Sequence, residues 1–156
     1  MEYFDPLGEG FWTTVGVAIL CGAIVGLERQ IRGKAVGIRT STLICLSTAV
    51  FIHLGSVTVG HVGDPTRVLG QLVTGVGFLG AGVMLSREGV VTGVTTAAVI
   101  WTQAAIGAAI GLGYLLAAVT LSVITVAILV GEELLESHLP WSGPPGQSSE
   151  DEPRAQ

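Results

Sequence analysis

The chain has 156 residues, 49% of them in the apolar set AVILMFWYC, 12% charged and 23 of them glycine, with a mean hydropathy of +0.69. Soluble domains are about one-quarter charged, so this composition excludes most soluble classes and points to a membrane protein. The net charge of −5 is local: residues 1–130 carry six acids and six bases, while the segment from Gly131 sets six acids against Arg154, which leaves no basic face for nucleic acid.

A bilayer core about 30 Å thick needs about 20 apolar residues of helix. Five segments approach that length: Phe11 to Leu27, Thr40 to Val59, Val68 to Leu85, Val94 to Leu112 and Tyr114 to Val130. The last two are parted only by Gly111-Leu112-Gly113, a tight turn between antiparallel helices, and the second and third by a breaker-rich stretch from Gly60 to Asp64. Arg29, Arg32, Lys34 and Arg39 crowd the loop after the first helix. Cations in short loops favour the cytoplasmic side, so the amino terminus is expected outside and the carboxy terminus, after five crossings, inside. The first helix carries its positive charge behind the apolar stretch, which suits a retained anchor rather than a cleaved signal. The expected organisation is an extracytoplasmic segment over residues 1–10, an all-α transmembrane bundle over residues 11–132 and an acidic, disordered cytoplasmic tail over residues 133–156. Cys21 and Cys45 lie in apolar runs and read as small buried hydrophobes.

The loops after helices one and three share a pattern. Gly33-Lys34-Ala35-Val36-Gly37-Ile38-Arg39-Thr40 and Gly89-Val90-Val91-Thr92-Gly93-Val94-Thr95-Thr96 align at an offset of 56, as do Gly26 and Gly82. Two copies of one helical hairpin, in parallel orientation, are inferred. Lipid tails are as apolar as leucine, so membrane helices associate where small residues let backbones approach. Gly22-xxx-Gly26 on helix one and Gly107-xxx-Gly111 on helix four have that spacing, and helix three carries Gly70, Thr74, Gly77 and Ala81 on one face with Gly75 and Gly82 beside it. Helices one, three and four are therefore expected to meet backbone to backbone. The string Gly75-Val76-Gly77-Phe78-Leu79-Gly80 fits the dinucleotide fingerprint but lacks the strand before it and the acid about twenty residues after it. Helix packing explains these glycines better.

Polar residues are few. Glu28, beside Arg29, reads either as an ion pair with Arg32 or Arg39 or as half of an inner cation gate. Asp64-Pro65-Thr66-Arg67 reads as a helix cap or as an outer Mg²⁺ ligand, since Mg²⁺ keeps most of its waters and needs only one or two carboxylates. His53, Gln71, Thr74, Thr96, Thr102 and Gln103 sit at middle depth. Each needs a partner in hydrocarbon; interhelical hydrogen bonds are the simplest answer, and a narrow hydrated path through His53 and Gln103 is the alternative. Enzymatic signatures are absent, so no catalytic activity is expected.

Taken together, these residues resemble the membrane domain of the MgtC/SapB family. The resemblance rests on Gly26-Leu27-Glu28-Arg29, Arg32-Gly33-Lys34-Ala35-Val36-Gly37-Ile38-Arg39-Thr40, Cys45-Leu46, Asp64-Pro65-Thr66-Arg67, Gln71, Gly75 through Gly82, Gly93 through Ala98, Trp101 and Ala104 through Gly107. It covers about residues 11–130 and implies a bacterial inner (plasma) membrane protein of growth at low magnesium, linked in some members to virulence and to control of the ATP synthase. Relative to longer members, only the acidic tail and no cytosolic carboxy-terminal domain is expected after the bundle. The resulting expectation is a self-associating membrane protein whose bundle binds or transports Mg²⁺. Asp64 would stand at the outer mouth and Glu28 at the inner, with Arg29, Arg32, Arg39 and Arg67 setting the local field. The alternative is a regulator, without transport, that docks on another membrane protein such as the ATP synthase. No cofactor other than Mg²⁺ is implied.

Overall fold

A computed structural model describes residues 6–59, 66–87 and 90–138. The chain is all-α apart from one small hairpin: α1 (Glu9–Ile31), α2 (Ile38–Val59), α3 (Thr66–Val83), β1 (Leu85–Arg87), β2 (Val90–Thr92), α4 (Val94–Gly111) and α5 (Leu115–His138). The two strands pair antiparallel, Leu85 opposite Thr92 and Arg87 opposite Val90, in the stretch expected to be loop. The chain divides into two compact units. The first, residues 1–126, holds the bundle; the second, residues 127–156, is described as helix over residues 127–138. Helix α5 therefore continues past the expected end at Val130.

Among the described residues, α1, residues 38–56 of α2, and α4 are long and apolar enough to cross a bilayer. The apolar stretch Leu115–Gly131 is shorter, and α3 dilutes its 18 residues with Arg67, Gln71 and five glycines. Helix is forced on such segments because lipid offers no hydrogen bonds to a bare backbone. Several hydroxyls make that point locally: Thr74 Oγ1 donates to the Gly70 carbonyl at 3.1 Å and Thr102 Oγ1 to the Ala98 carbonyl at 3.0 Å. These two threonines bond to their own helices instead of across to a neighbour.

The centre of the bundle is α2. Both Gly-xxx-Gly motifs pack against it: α3 and α1 do touch α4, but the closest backbone approaches of α1 and α4 are to α2 and not to one another or to α3. A Cβ added at Gly26 would lie 2.6 Å from Ile38 Cα, one at Gly107 2.5 Å from the Cys45 carbonyl oxygen, and one at Gly111 2.6 Å from that of Ala49. Gly22 is pressed in the same way against Thr42. The reason is a matching stripe on α2, where Ser41, Cys45 and Ala49 recur every four residues and are fully buried. Small residues face small residues on both seams, as close packing in lipid requires. Around them Ala18, Cys21, Ile106, Ile110 and Ala118 complete the main core.

Helix α3 is fastened differently. Gly80 and Gly77 lie under the ring of Trp101 on α4, with 3.5 Å from a built Cβ at Gly80 to Trp101 Cδ1. Gly70, Gly75 and Gly82 meet no neighbour: a Cβ at any of them would have nothing within 4 Å. Among the described residues, Gly75 and Gly82 are thus not close-packing positions. The repeat-related Gly26 and Gly82 have different surroundings, the first closed against α2 and the second open. The fingerprint-like string Gly75 to Gly80 lies wholly inside α3, and among the described residues no strand precedes it.

Two turns depend on glycine. Gly93 has φ +87° and lies against the Val83 carbonyl, where any side chain would collide, so it can lead the chain from β2 into α4. Gly113, also at φ +87°, follows a reversal in which its N–H donates to the Ile110 carbonyl at 2.9 Å. Val36 is the one non-glycine at positive φ, 64°, among the described residues. Its side chain packs against the second core cluster of Val76, Ile100 and Ala104, contacts that hold a β-branched residue in a strained conformation.

Candidate functional site

The polar residues fall into three groups along the bundle. At the end where α1 finishes and α4 begins, Glu28 and Arg29 are both turned inward, 9% and 4% exposed. Glu28 Oε1 lies 2.7 Å from Arg32 Nε, one turn on along α1. Arg29 points the other way and donates from Nη2 to Thr96 Oγ1 at 3.0 Å, tying the last turn of α1 to the first turn of α4. Glu28 Oε2 and Arg29 Nε are buried without a hydrogen-bond partner. Of the two cations considered for Glu28, Arg32 is the one placed beside it; Arg39 is exposed in the first turn of α2.

Midway, the Cys45 thiol donates to Gln103 Oε1 at 2.7 Å and lies 3.4 Å from the Gln103 carbonyl, across the α2–α4 seam. Gln103 is fully buried, and its Nε2 has no partner. Sequence spacing alone did not pair these two residues. The bland reading of Cys45 as a small hydrophobe therefore omits half its role, since it satisfies one end of a buried amide.

At the far end, a cavity of about 590 Å³ opens between the start of α1, the end of α2 and the α4–α5 turn. His53, Ser56, Thr13 and Thr14 line it together with Gly111 and Gly113. Both threonine hydroxyls donate to carbonyls one turn back, at 2.9 Å, and their oxygens keep acceptor capacity. A second cavity, about 450 Å³, lies between α2 and α3, where Gln71, Ser47 and Thr48 interrupt an apolar lining that includes Gly75. The structure thus separates His53 from Gln71 and places Gln103 in packed interior.

Arg67 is exposed in the first turn of α3. Asp64, Pro65, His61, Glu88 and the tail from residue 139 lie outside the described residues. Among the described residues no three His, Cys, Asp or Glu side chains gather where they could hold a metal ion.

The chain is 47% identical over 119 residues to the Escherichia coli K12 protein named "Putative magnesium transporter YhiD", covering 72% of this chain and 55% of that one. It is 39% identical over 140 residues to an uncharacterized protein of Haemophilus influenzae, covering 84% and 58%. With "Protein MgtC" of Brucella abortus the identity is 40% over 111 residues, covering 71% and 46%. The chain spans about half the length of these relatives. No solved structure matches it. Membrane-capable helices, glycine-mediated seams and a family match over residues 15–138 converge, and the chain belongs to the MgtC family.

Proposed function

We propose that the chain is a bacterial inner-membrane protein of magnesium homeostasis whose bundle binds or conducts Mg²⁺. The reading is carried by the 47% identity to YhiD, whose name specifies magnesium transport as its putative role. The proposed orientation puts the α1–α2 loop, with Arg32, Lys34 and Arg39, in the cytoplasm and the start of α1 outside. The His53 cavity then faces outward. Its hydroxyls and backbone carbonyls suit a cation that arrives hydrated, because Mg²⁺ gives up its waters reluctantly. Asp64, which precedes α3 in sequence, is the proposed outer carboxylate. The role is non-enzymatic.

The test is reconstitution of the full chain in liposomes holding a trapped Mg²⁺ indicator. Flux down a Mg²⁺ gradient is expected, reduced by Asp64→Asn and by Glu28→Gln. Absence of flux at every gradient would overturn conduction.

One observation favours the alternative of a regulator without transport. Glu28 is already opposed by Arg32, with Arg29 beside it, so the one buried carboxylate among the described residues is poorly placed to receive a cation. A regulator would use the open glycine face of α3 to dock on another membrane protein, such as the ATP synthase, or on a second copy. Its test is a defined partner that co-purifies with the chain and is lost on Gly82→Leu, with bundle stability retained.

A further inference from the structure

Arg29 is 4% exposed, yet among the described residues no carboxylate lies within ion-pair distance of it. Among the described residues its side chain makes one hydrogen bond, to the neutral Thr96 hydroxyl at 3.0 Å, and its Nε has no partner. Buried charges are ordinarily paired, because desolvating a lone cation is costly. Glu28, the adjacent acid, does not fill this role, since its carboxylate is held by Arg32.

The place where Arg29 ends is itself positive. Thr96 is the third residue of α4, an 18-residue helix whose N-cap is Gly93 and which has no side-chain cap. The first N–H groups of a helix have no partner within it, and the helix dipole adds about half a positive charge there. A desolvated guanidinium and an uncapped helix N-terminus therefore converge, and among the described residues no carboxylate lies between them. Val94 and Thr95, at the start of that turn, are exposed, which gives a ligand access from the surface.

We propose that this corner is an oxyanion site of the phosphate class. Backbone N–H groups at the start of α4 and the guanidinium of Arg29 are the donors; the Arg29–Thr96 bond holds the guanidinium in position. The donor chemistry suits both a free phosphate and the phosphodiester of an anionic lipid headgroup. The site is independent of the magnesium reading and stands or falls separately.

The experiment uses the full chain in phosphatidylcholine nanodiscs, titrated with inorganic phosphate and read by the thermal unfolding midpoint and by the ³¹P linewidth. A saturable response is expected, weakened about ten-fold or more by Arg29→Gln and by Thr95→Glu. The exposed cations are the controls: Lys34→Gln and Arg39→Gln should leave affinity within about two-fold, since screened surface charges contribute little. Should Arg29→Gln fail to fold, Thr95→Glu still decides, because a carboxylate in the first turn stabilises the helix while competing for the site. A second arm replaces part of the lipid with phosphatidylglycerol. A raised midpoint to which phosphate adds nothing identifies the lipid headgroup as the ligand; an undiminished phosphate response identifies the soluble ion. The proposal is overturned if neither arm gives a saturable response, if Thr95→Glu responds like the parent chain, or if Lys34→Gln and Arg39→Gln lose as much as Arg29→Gln.

Discussion

Glycine has opposite meanings at different positions of this chain. At Gly26 and Gly107 the neighbouring backbone occupies the space a side chain would need. Gly107→Leu should therefore cost about 1–3 kcal/mol or more, as overpacking does, and lower the unfolding midpoint in detergent. Gly75→Ala and Gly82→Ala should instead leave stability unchanged or raise it by about 0.5–1 kcal/mol, because both positions are helical and open. Equal losses at all these sites would contradict the seams described above. The buried amide of Gln103 yields a second prediction at this scale. Its Nε2 is orphaned, an arrangement costing about 1–3 kcal/mol, and the Cys45 thiol it serves is only a weak donor. Gln103→Leu should be neutral or stabilising by the same unfolding assay; a large loss would show that water fills the gap beside Nε2.

Among the elements, the join between β2 and α4 is the most constrained. Gly93→Ala must both adopt φ near +87° and displace the Val83 carbonyl, whereas Gly113→Ala meets only the conformational penalty of about 1–2 kcal/mol. The first substitution should destabilise distinctly more than the second in parallel melts. The same join carries Thr96, so a disturbed α4 start should also release Arg29. Much of this level was legible in advance. Apolar length announced the helices, and Gly111-Leu112-Gly113 announced the turn. The hairpin at Leu85–Thr92 was not, because three-residue strands are too short to show a period of two. The internal echo aligned the two loops in sequence but did not show how their surroundings differ: Gly26 is clamped against α2, while its counterpart Gly82 is open.

Over the whole molecule, the proposed crossing order can be checked without any functional assay. Cys21 and Cys45 are both fully buried and should stay unlabelled by a membrane-impermeant maleimide. Lys34→Cys should then react only from the cytoplasmic side and Gly113→Cys only from outside; the reverse pattern would refute the orientation. Composition alone determined that the chain is helical and membrane-bound, since a backbone in lipid must satisfy its own hydrogen bonds. Glycine spacing determined which faces could approach closely. Only the tertiary structure decided what they approach, because lipid supplies no hydrophobic drive to choose among apolar faces and the fit of one small-residue stripe to another makes the choice. For the same reason α2, which looked unremarkable, is the hub. Likewise the bond between Arg29 and Thr96 joins residues 67 apart in sequence, a separation over which no local periodicity carries information.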